Sequence, residues 1–433
     1  MQTMIMFSFI KKYFSHDQNI MGLFKPLYVL LSLTGLFPYS IHFPTGKQGF
    51  LVTRKSLVLH SLCGLGMFAF LCFNFYVKCG IAFSVAYITP GNVTTDINIF
   101  IGIFSRFFCD ILVYYGAFRN ANAYVKILQE VAICWSELVF VNPNPILQYL
   151  RKRIVLPIAP WFLLFLLIRL TECYMQYGRF CLGIFMFLPD IVMSLVIAFY
   201  CVLTMLVVGL LKNIKMHCQR LERIKYRIGH ENSIILSSDE EENENCLRRL
   251  ELIYVKSLQA HREISRVFET PLAAIIALCF HTTLRNTHTL YHGLIISKTV
   301  NYRMIIERLF WILYSLAKIY ILAITGTQMQ SEVNKIGDAL HDISTGNQER
   351  LYLECNIIKS KSNRIFLQVQ HFISLVSFYN PVTTIYDYFA LDTTLFLSII
   401  ATLLTYIIVL VQFDSANPVA SEYTFIGYRH CCL

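Results

Sequence analysis

Charge is scarce in this sequence. Asp, Glu, Lys and Arg make up only 15% of its 433 residues, against 56% hydrophobic ones, whereas soluble domains carry roughly 25% charge. Such a chain cannot cover its own surface with polar groups, which excludes an ordinary soluble architecture. Paired cysteines are missing too. The fourteen cysteines include no CxxC pair, and most lie in apolar stretches where a thiol behaves as a small hydrophobe. Five of them, Cys79, Cys173, Cys181, Cys431 and Cys432, fall at or beyond one membrane face and leave room for a single external disulfide. There is no HExxH, no glycine-rich phosphate loop and no internal repeat with paired broken helices, so metalloprotease, nucleotide-dependent and repeat-built transporter readings lose their footing. The expectation is a protein without cofactor or metal that is not an enzyme. A signal peptide is not apparent either: the first Lys, Lys11, follows the apolar start instead of preceding it, so the first span is expected to serve as its own insertion signal.

What is present is length of apolar run. Seven stretches, roughly 57–78, 97–118, 154–176, 180–211, 268–290, 305–325 and 372–413, are long enough to cross a bilayer as helices. Lipid tolerates only helices or closed barrels, and runs without strict alternation select helices. The fold class is therefore an all-α polytopic membrane protein with seven transmembrane helices. The last stretch is too long for one crossing. Asn380-Pro381 and the Asp387/Asp392 region interrupt it, because proline removes a helical hydrogen bond and clashes with the preceding turn. This predicts a split seventh helix: a cytoplasmic piece at 364–387 and a membrane piece at about 392–413.

The net charge of +10 does not imply nucleic acid, because the basic residues follow alternate loops, as the positive-inside rule requires. With the N-terminus inside, segments 1–56, 119–153, 212–266 and 326–364 hold 27 Lys and Arg residues. Only seven (Lys78, Arg179, Arg285, Lys298, Arg303, Arg308 and Arg429) fall outside. The sequon at Asn92 then faces outward as a glycosylation candidate. Residues 1–56 form a cytoplasmic segment in which 26–46 carries no charge, and Pro38 and Pro44 end its apolar run; it reads as a short re-entrant helix. Residues 57–363 hold the first six spans. Their internal extensions, with apolar positions such as Val125, Leu128, Val131 and Trp135 and again Leu250, Ile253, Leu258 and Ile264, are expected to pack into a cytoplasmic helical anchor. The acidic run at 237–244, within 230–246, reads as a disordered insertion. Residues 364–413 form the anchor and pore piece, and 414–433 an extracellular tail.

The final span carries the most specific pattern: Thr405-Tyr406, five apolar residues, then Gln412-Phe413. Taken alone, it fits a lipid-facing helix with Tyr406 and Gln412 at an interface. At the end of an inverted seven-span chain, together with Leu391-Asp392 and Leu395-Phe396 upstream, it resembles the closing signature of the insect gustatory receptors, a chemoreceptor family related to the odorant receptors. The resemblance covers about residues 20–413. It implies a ligand-gated, non-selective cation channel built as a homotetramer or a heterotetramer with related receptors, with four copies of the last helix around a pore. By position in that motif, Val409, Gln412 and Phe413 would form the constriction and Thr405 the wall below it. Their spacing of three and four residues puts them on one helical stripe, where apolar rings can close a pore by dewetting and an amide can hydrate cations. The chain departs from the family pattern in its twenty-residue tail after Phe413.

Ionisable groups at membrane depth usually face the bundle interior. Arg106 and Asp110, one turn apart, are expected to neutralise each other. Arg169 and Glu172 on the third span and Asp190 on the fourth can pair across a pocket. On the fifth span His281, His288 and His292 recur with Arg285 on the same stripe and Tyr291 beside it. The arginine argues against a metal site, so a polar wall of an outward cavity is the better reading, completed by Trp311 and Tyr314 on the sixth span. The ligand set is thus Arg169, Asp190, His281, His288, Tyr291, Trp311 and Tyr314. The partners expected are a small-molecule tastant, membrane lipid and permeating cations, with no nucleic acid. The breadth of the family favours a bitter or otherwise aversive compound, at the plasma membrane of sensory dendrites. Two rivals stand. A G-protein-coupled receptor would need the opposite orientation and lacks here the Asp/Glu-Arg-Tyr triplet; the other rival is a non-conducting subunit of a heteromeric taste channel.

Overall fold

The computed structural model describes residues 24–42, 51–53, 57–88, 93–138, 146, 148–153, 163–165, 167–168, 180–228, 236–295, 302–353, 359–379 and 381–416. Over these the chain is helical almost throughout, with helices α1 (Lys25–Leu33), α2 (Leu57–Ile88), α3 (Val93–Arg119), α4 (Ala121–Glu137), α5 (Phe180–Ile228), α6 (Leu236–Ile295), α7 (Tyr302–Leu353), α8 (Lys359–Phe378) and α9 (Thr393–Ala416). Two small antiparallel pairs add to the helical design: β1 (Ser40–His42) with β2 (Leu51–Thr53), and β3 (Thr384–Ile385) with β4 (Phe389–Ala390).

Five segments among the described residues are long and apolar enough to cross a membrane: Ser61–Ser84, Phe100–Arg119, Leu188–Leu221, Glu244–Tyr291 and Ile305–Ser344. Thr393–Val409 is apolar but shorter. Most of the expected third span, 154–176, lies outside the described residues; 163–165 and 167–168 are helical. In the 18-residue apolar stretch of Leu188–Leu221, 89% of the residues are buried, against 17% in that of Ser61–Ser84, so α5 is the axis of the bundle and α2 its periphery. Sequence explains the difference: α5 is apolar all round from Leu195 to Leu211, as a central helix must be.

The helices outrun the bilayer. At 1.5 Å per residue the 60 residues of α6 extend about 90 Å, against a hydrocarbon core of about 30 Å. The surplus of α6 packs with α4, α7 and α8. Lys256 Nζ reaches Glu137 at 3.1 Å, the amide of Asn120 donates to Val267 O at 3.1 Å, His371 Nδ1 lies 2.8 Å from Glu251, and Gln370 donates to Ser344 Oγ at 3.1 Å. This is the helical extension that the amphipathic stretches predict. Two boundaries differ from expectation. The acidic run read as disordered lies at the start of α6, from Leu236 onward, where Glu244 pairs with Arg248 at 2.7 Å one turn later; an i,i+4 pair of this kind supports helix. Residues 230–235 are outside the described set. The helical piece expected at 364–387 is α8, ending at Phe378, and beyond it the chain turns into the β3–β4 hairpin instead of continuing as helix.

The apolar stretch after Lys25 is a helix of nine residues, about 13 Å long and too short to span. Phe24 and Phe37 are fully buried; Phe24 stacks on Phe199 of α5 at 5.7 Å between centroids, and Phe37 meets the same ring edge-on at 6.0 Å. Tyr114 donates its hydroxyl to Thr34 O at 2.9 Å. Gly35 closes the helix with φ +71°, and a Cβ there would lie 2.2 Å from Gly64 Cα of α2; only glycine serves both needs.

Candidate functional site

Two features stand out: a buried ionic cluster among α3, α5, α6 and α7, and the thinly packed helix α9.

Asp190 is at the centre of the first. It is 2% exposed and follows Pro189 within α5. Its Oδ2 lies 3.4 Å from Arg106 of α3 and its Oδ1 3.8 Å from Lys318 of α7. One turn along α5, Ser194 Oγ is 3.0 Å from the Tyr314 hydroxyl. Arg106 sits over Trp311 at 5.9 Å and Lys318 over Tyr314 at 4.3 Å, while Phe165 approaches Tyr314 at 5.8 Å. Three helices thus meet through one carboxylate, two cations and an aromatic wall. Of the expected ligand residues, Asp190, Trp311 and Tyr314 come together here. His281 stands beside Arg285, close against Gly102 of α3. His288 and Tyr291 lie two to three turns further along α6. Arg169 is outside the described residues, as are Glu172 and Asn92, and nothing is described of the side chain of His292.

The ionic partners differ from the expectation in one respect. Arg106 turns to Asp190 on another helix instead of Asp110 on its own, and Asp110 Oδ1 is left without a hydrogen-bond partner. The i,i+4 order Arg-then-Asp is the less favourable one, and Asp190 serves Lys318 as well. Sequence reasoning passed over Lys318 and the small residue Gly102; an ionisable residue inside an apolar span is the signal that marks Lys318. A small open cleft of about 10 Å³, room for little more than one water, lies between α2, α3 and Pro189, with Asn74, Lys78, Arg106 and Asp110 on its wall. It is smaller than a typical ligand pocket, although Arg106 belongs to both.

The second feature begins at the hairpin. Tyr386 and Asp387 both have positive φ, +50° and +57°, and Tyr388 N donates to Ile385 O at 3.0 Å. Three residues, 386–388, separate the paired Ile385 and Phe389, and two successive left-handed residues in a hairpin match the strand twist but prefer Asn-Gly. Here tertiary contacts hold it: the Tyr386 amide donates to Glu269, its hydroxyl meets Thr270 at 2.7 Å, and His261 Nε2 meets Thr383 Oγ1 at 2.9 Å. All three partners are on α6. The hairpin also presses on α7, where a Cβ at Gly326 would lie 1.8 Å from Leu391 O.

Asp392 then caps α9, accepting from the Thr394 and Leu395 amides at 2.9 and 3.2 Å and from the Thr394 hydroxyl. Partial burial raises its pKa, but the hydrogen bonds from the Thr394 hydroxyl and the two amides outweigh this and hold the carboxyl below its usual range. Its stabilising contribution is therefore complete above about pH 4 and fades as the pH falls through the lowered value. Asp392→Ala is expected to cost about 1 kcal/mol while Asp392→Ser costs little; the melting temperatures of the two purified variants at neutral pH check this.

Past the cap, the buried side chains of α9 among the described residues are Ile399 and Leu403. Ala401, Thr405, Ile408 and Gln412 are exposed along the other side, and Val409 is 38% exposed. The Thr405 hydroxyl donates to Ala401 O at 3.0 Å, so it is satisfied within its own helix. Tyr406 is half-buried. The side chain of Phe413 lies outside the described set, as do residues 417–433 of the expected tail.

Residues 24–417 match the family model described as 7tm Chemosensory receptor. Two solved structures share the fold. One is the insect olfactory receptor OR5 from Machilis hrabei, with TM-score 0.64 and 13% identity over 90% of this chain and 98% of that one. The other is the same receptor in complex with eugenol, with TM-score 0.65 and 12% identity over 91% and 98%. No curated protein matches the sequence.

Proposed function

This chain belongs to the 7tm chemosensory receptor family, and from that premise we propose that it is a gustatory receptor acting as a ligand-gated, non-selective cation channel. Small-molecule tastants, bitter or otherwise aversive ones foremost, open it. The observation that carries the reading is α9: an apolar helix that buries one strip and leaves Thr405, Ile408, Val409 and Gln412 exposed. One helix cannot enclose an aqueous path, so several copies supply the pore, four by the family resemblance, from this chain alone or with related subunits. The N-terminus is cytoplasmic, and the chain sits in the plasma membrane of sensory dendrites.

In the closed state Val409 and Phe413, one turn apart, stack as apolar rings around the axis and exclude water. The ligand binds at the ionic cluster between α3, α5, α6 and α7, where the wall is mainly aromatic with a few fixed polar groups. That a related fold holds eugenol supports a small organic ligand in such a bundle. Movement of α6 and α7 reaches α9 through the hairpin, which both helices hold. The His261 contact lies 24 residues from Arg285 along α6, about 36 Å, with Pro271 inside the helix between them. Gln412 meets the passing cations, and no Arg or Lys falls in α9, which suits Na⁺, K⁺ and Ca²⁺ with little discrimination.

Whole-cell recording tests this. Val409→Ser or Phe413→Ser is expected to raise basal current well above wild type at matched surface level, and Gln412→Ala to change relative cation permeability. Wild-type basal current and ion ratios in all three variants would remove α9 from the pore.

A further inference from the structure

We propose that Arg285 is the anion-recognition residue of this receptor and that its ligands are small organic acids, held by their carboxylate. The proposal rests on the ligand-gated reading of the same bundle and narrows the ligand to one chemical class.

A cation inside an apolar bundle is costly unless it is paired. Arg106 and Lys318 share the two oxygens of Asp190. Arg308 donates from Nη1 to Asn286 Oδ1 at 3.1 Å. The Arg285 side chain has neither hydrogen bond nor ion pair among the described residues, although it sits in the Glu244–Tyr291 apolar segment. Its charged surroundings are Arg106, Arg308 and Asp190, two like charges and one carboxylate that other cations already engage.

The atoms around it repeat the pattern. His281 Nδ1, Asn286 Nδ2 and Arg308 Nε are enclosed with no hydrogen-bond partner. An amide nitrogen and a guanidinium nitrogen can only donate, and an imidazole nitrogen donates in one tautomer. Arg285 is thus one of several donor-bearing groups on this part of α6 and α7 that lack an acceptor, and an acceptor bearing negative charge would serve it. A carboxylate fits, since it binds a guanidinium through two parallel hydrogen bonds. An amine, the usual cation of alkaloid-like compounds, meets repulsion instead. Arg285 is only partly buried, so part of the residue is open to its surroundings. The backbone makes room for it, because a Cβ on Gly102 would lie 2.4 Å from Arg285 Nη1.

The test uses the full-length chain purified in a neutral detergent without added anionic lipid, at neutral pH. Benzoate, hexanoate and succinate are compared with their methyl esters by thermal shift. At least one acid is expected to raise the melting temperature in a concentration-dependent way, and its ester is not. Arg285→Gln is expected to weaken that acid roughly thirtyfold or more, the effect of removing one partner from a buried charge pair. Without ligand, Arg285→Gln should melt no lower than wild type, because it removes an unpaired charge. Gly102→Ala keeps the charge but displaces the guanidinium, and is expected to weaken the same acid. Equal shifts from acid and ester, no shift from any acid, or undiminished affinity in Arg285→Gln overturns the proposal. So does an Arg285→Gln chain that fails to fold, since the arginine would then be a structural partner. Recordings separate this from the channel reading. Currents evoked by neutral compounds and unaltered in Arg285→Gln would discard the acid ligand and keep the channel. Acid binding that depends on Arg285 without acid-evoked current in any subunit combination would do the reverse.

Discussion

Asp190→Ala is expected to destabilise the bundle by about 3–5 kcal/mol, the cost of leaving buried charges without their counter-ion. Arg106 and Lys318 both depend on this carboxylate, and Lys318 is itself 4% exposed, so water cannot take its place. The loss should appear as a large fall in melting temperature of the purified protein and a fall in surface level. Asp190→Asn keeps the shape and loses the charge, and is expected to be nearly as damaging. Combining Asp190→Leu with Lys318→Met removes one of the two ion pairs and should recover part of the stability, because a buried ion pair is replaceable by apolar side chains of similar size, while Arg106 still lacks its counter-ion. Melting temperatures of the single and double variants decide it. An unchanged single variant would mean that the cluster is hydrated and the pairing weak.

Gly326→Ala is expected to disconnect the bundle from α9. The new methyl would lie 1.8 Å from the Leu391 carbonyl oxygen and 3.1 Å from its carbon. The obstacle is backbone, so no side-chain rotation relieves it, and either α7 or the residue before Asp392 must move. Overpacking of this kind costs about 1–3 kcal/mol and sometimes more. Because Leu391 is hydrogen-bonded back to Thr383 O at 2.7 Å, the displacement passes into the hairpin instead of being absorbed locally. The expected result is a receptor that reaches the surface at reduced level and gives little or no evoked current, while ligand-induced thermal shifts persist. Spatial closeness alone does not establish transmission, and this substitution is the direct test of it. Normal evoked current at matched surface level would place transmission elsewhere.

Both predictions concern contacts that periodicity does not specify. The apolar spans at 57–78, 97–118, 180–211, 268–290 and 305–325 were legible because roughly twenty apolar residues admit few solutions in lipid. The split of the last span was legible at Asn380-Pro381 for a local reason: proline removes a helical hydrogen bond, and here polar Asn380, Asp387 and Asp392 surround it. The extended helices were legible from apolar spacing beyond the spans, at Leu128 and Val131 on α4 and at Ile253 and Ile264 on α6, all of which are buried.

Other features were decided only when the helices met. Arg106 has an acidic neighbour on its own helix, yet its partner is Asp190; which carboxylate wins depends on how α3 and α5 are rotated about their axes, and every core contact sets that rotation at once. Arg285 and Arg308 count as loop charges when the loops are tallied, but they lie within α6 and α7 beside α3. Gly102 and Gly326 are unremarkable in one dimension. Each acquires its role from a neighbour nearly two hundred or about sixty-five residues away in the chain, the guanidinium of Arg285 and the carbonyl of Leu391. Composition and period thus determined that this is a multi-pass helical protein, and where its last helix breaks. Helix rotation and register, which arise from the packing of all side chains together, decided which charges pair, which arginine is left over, and where a missing Cβ lets two elements touch.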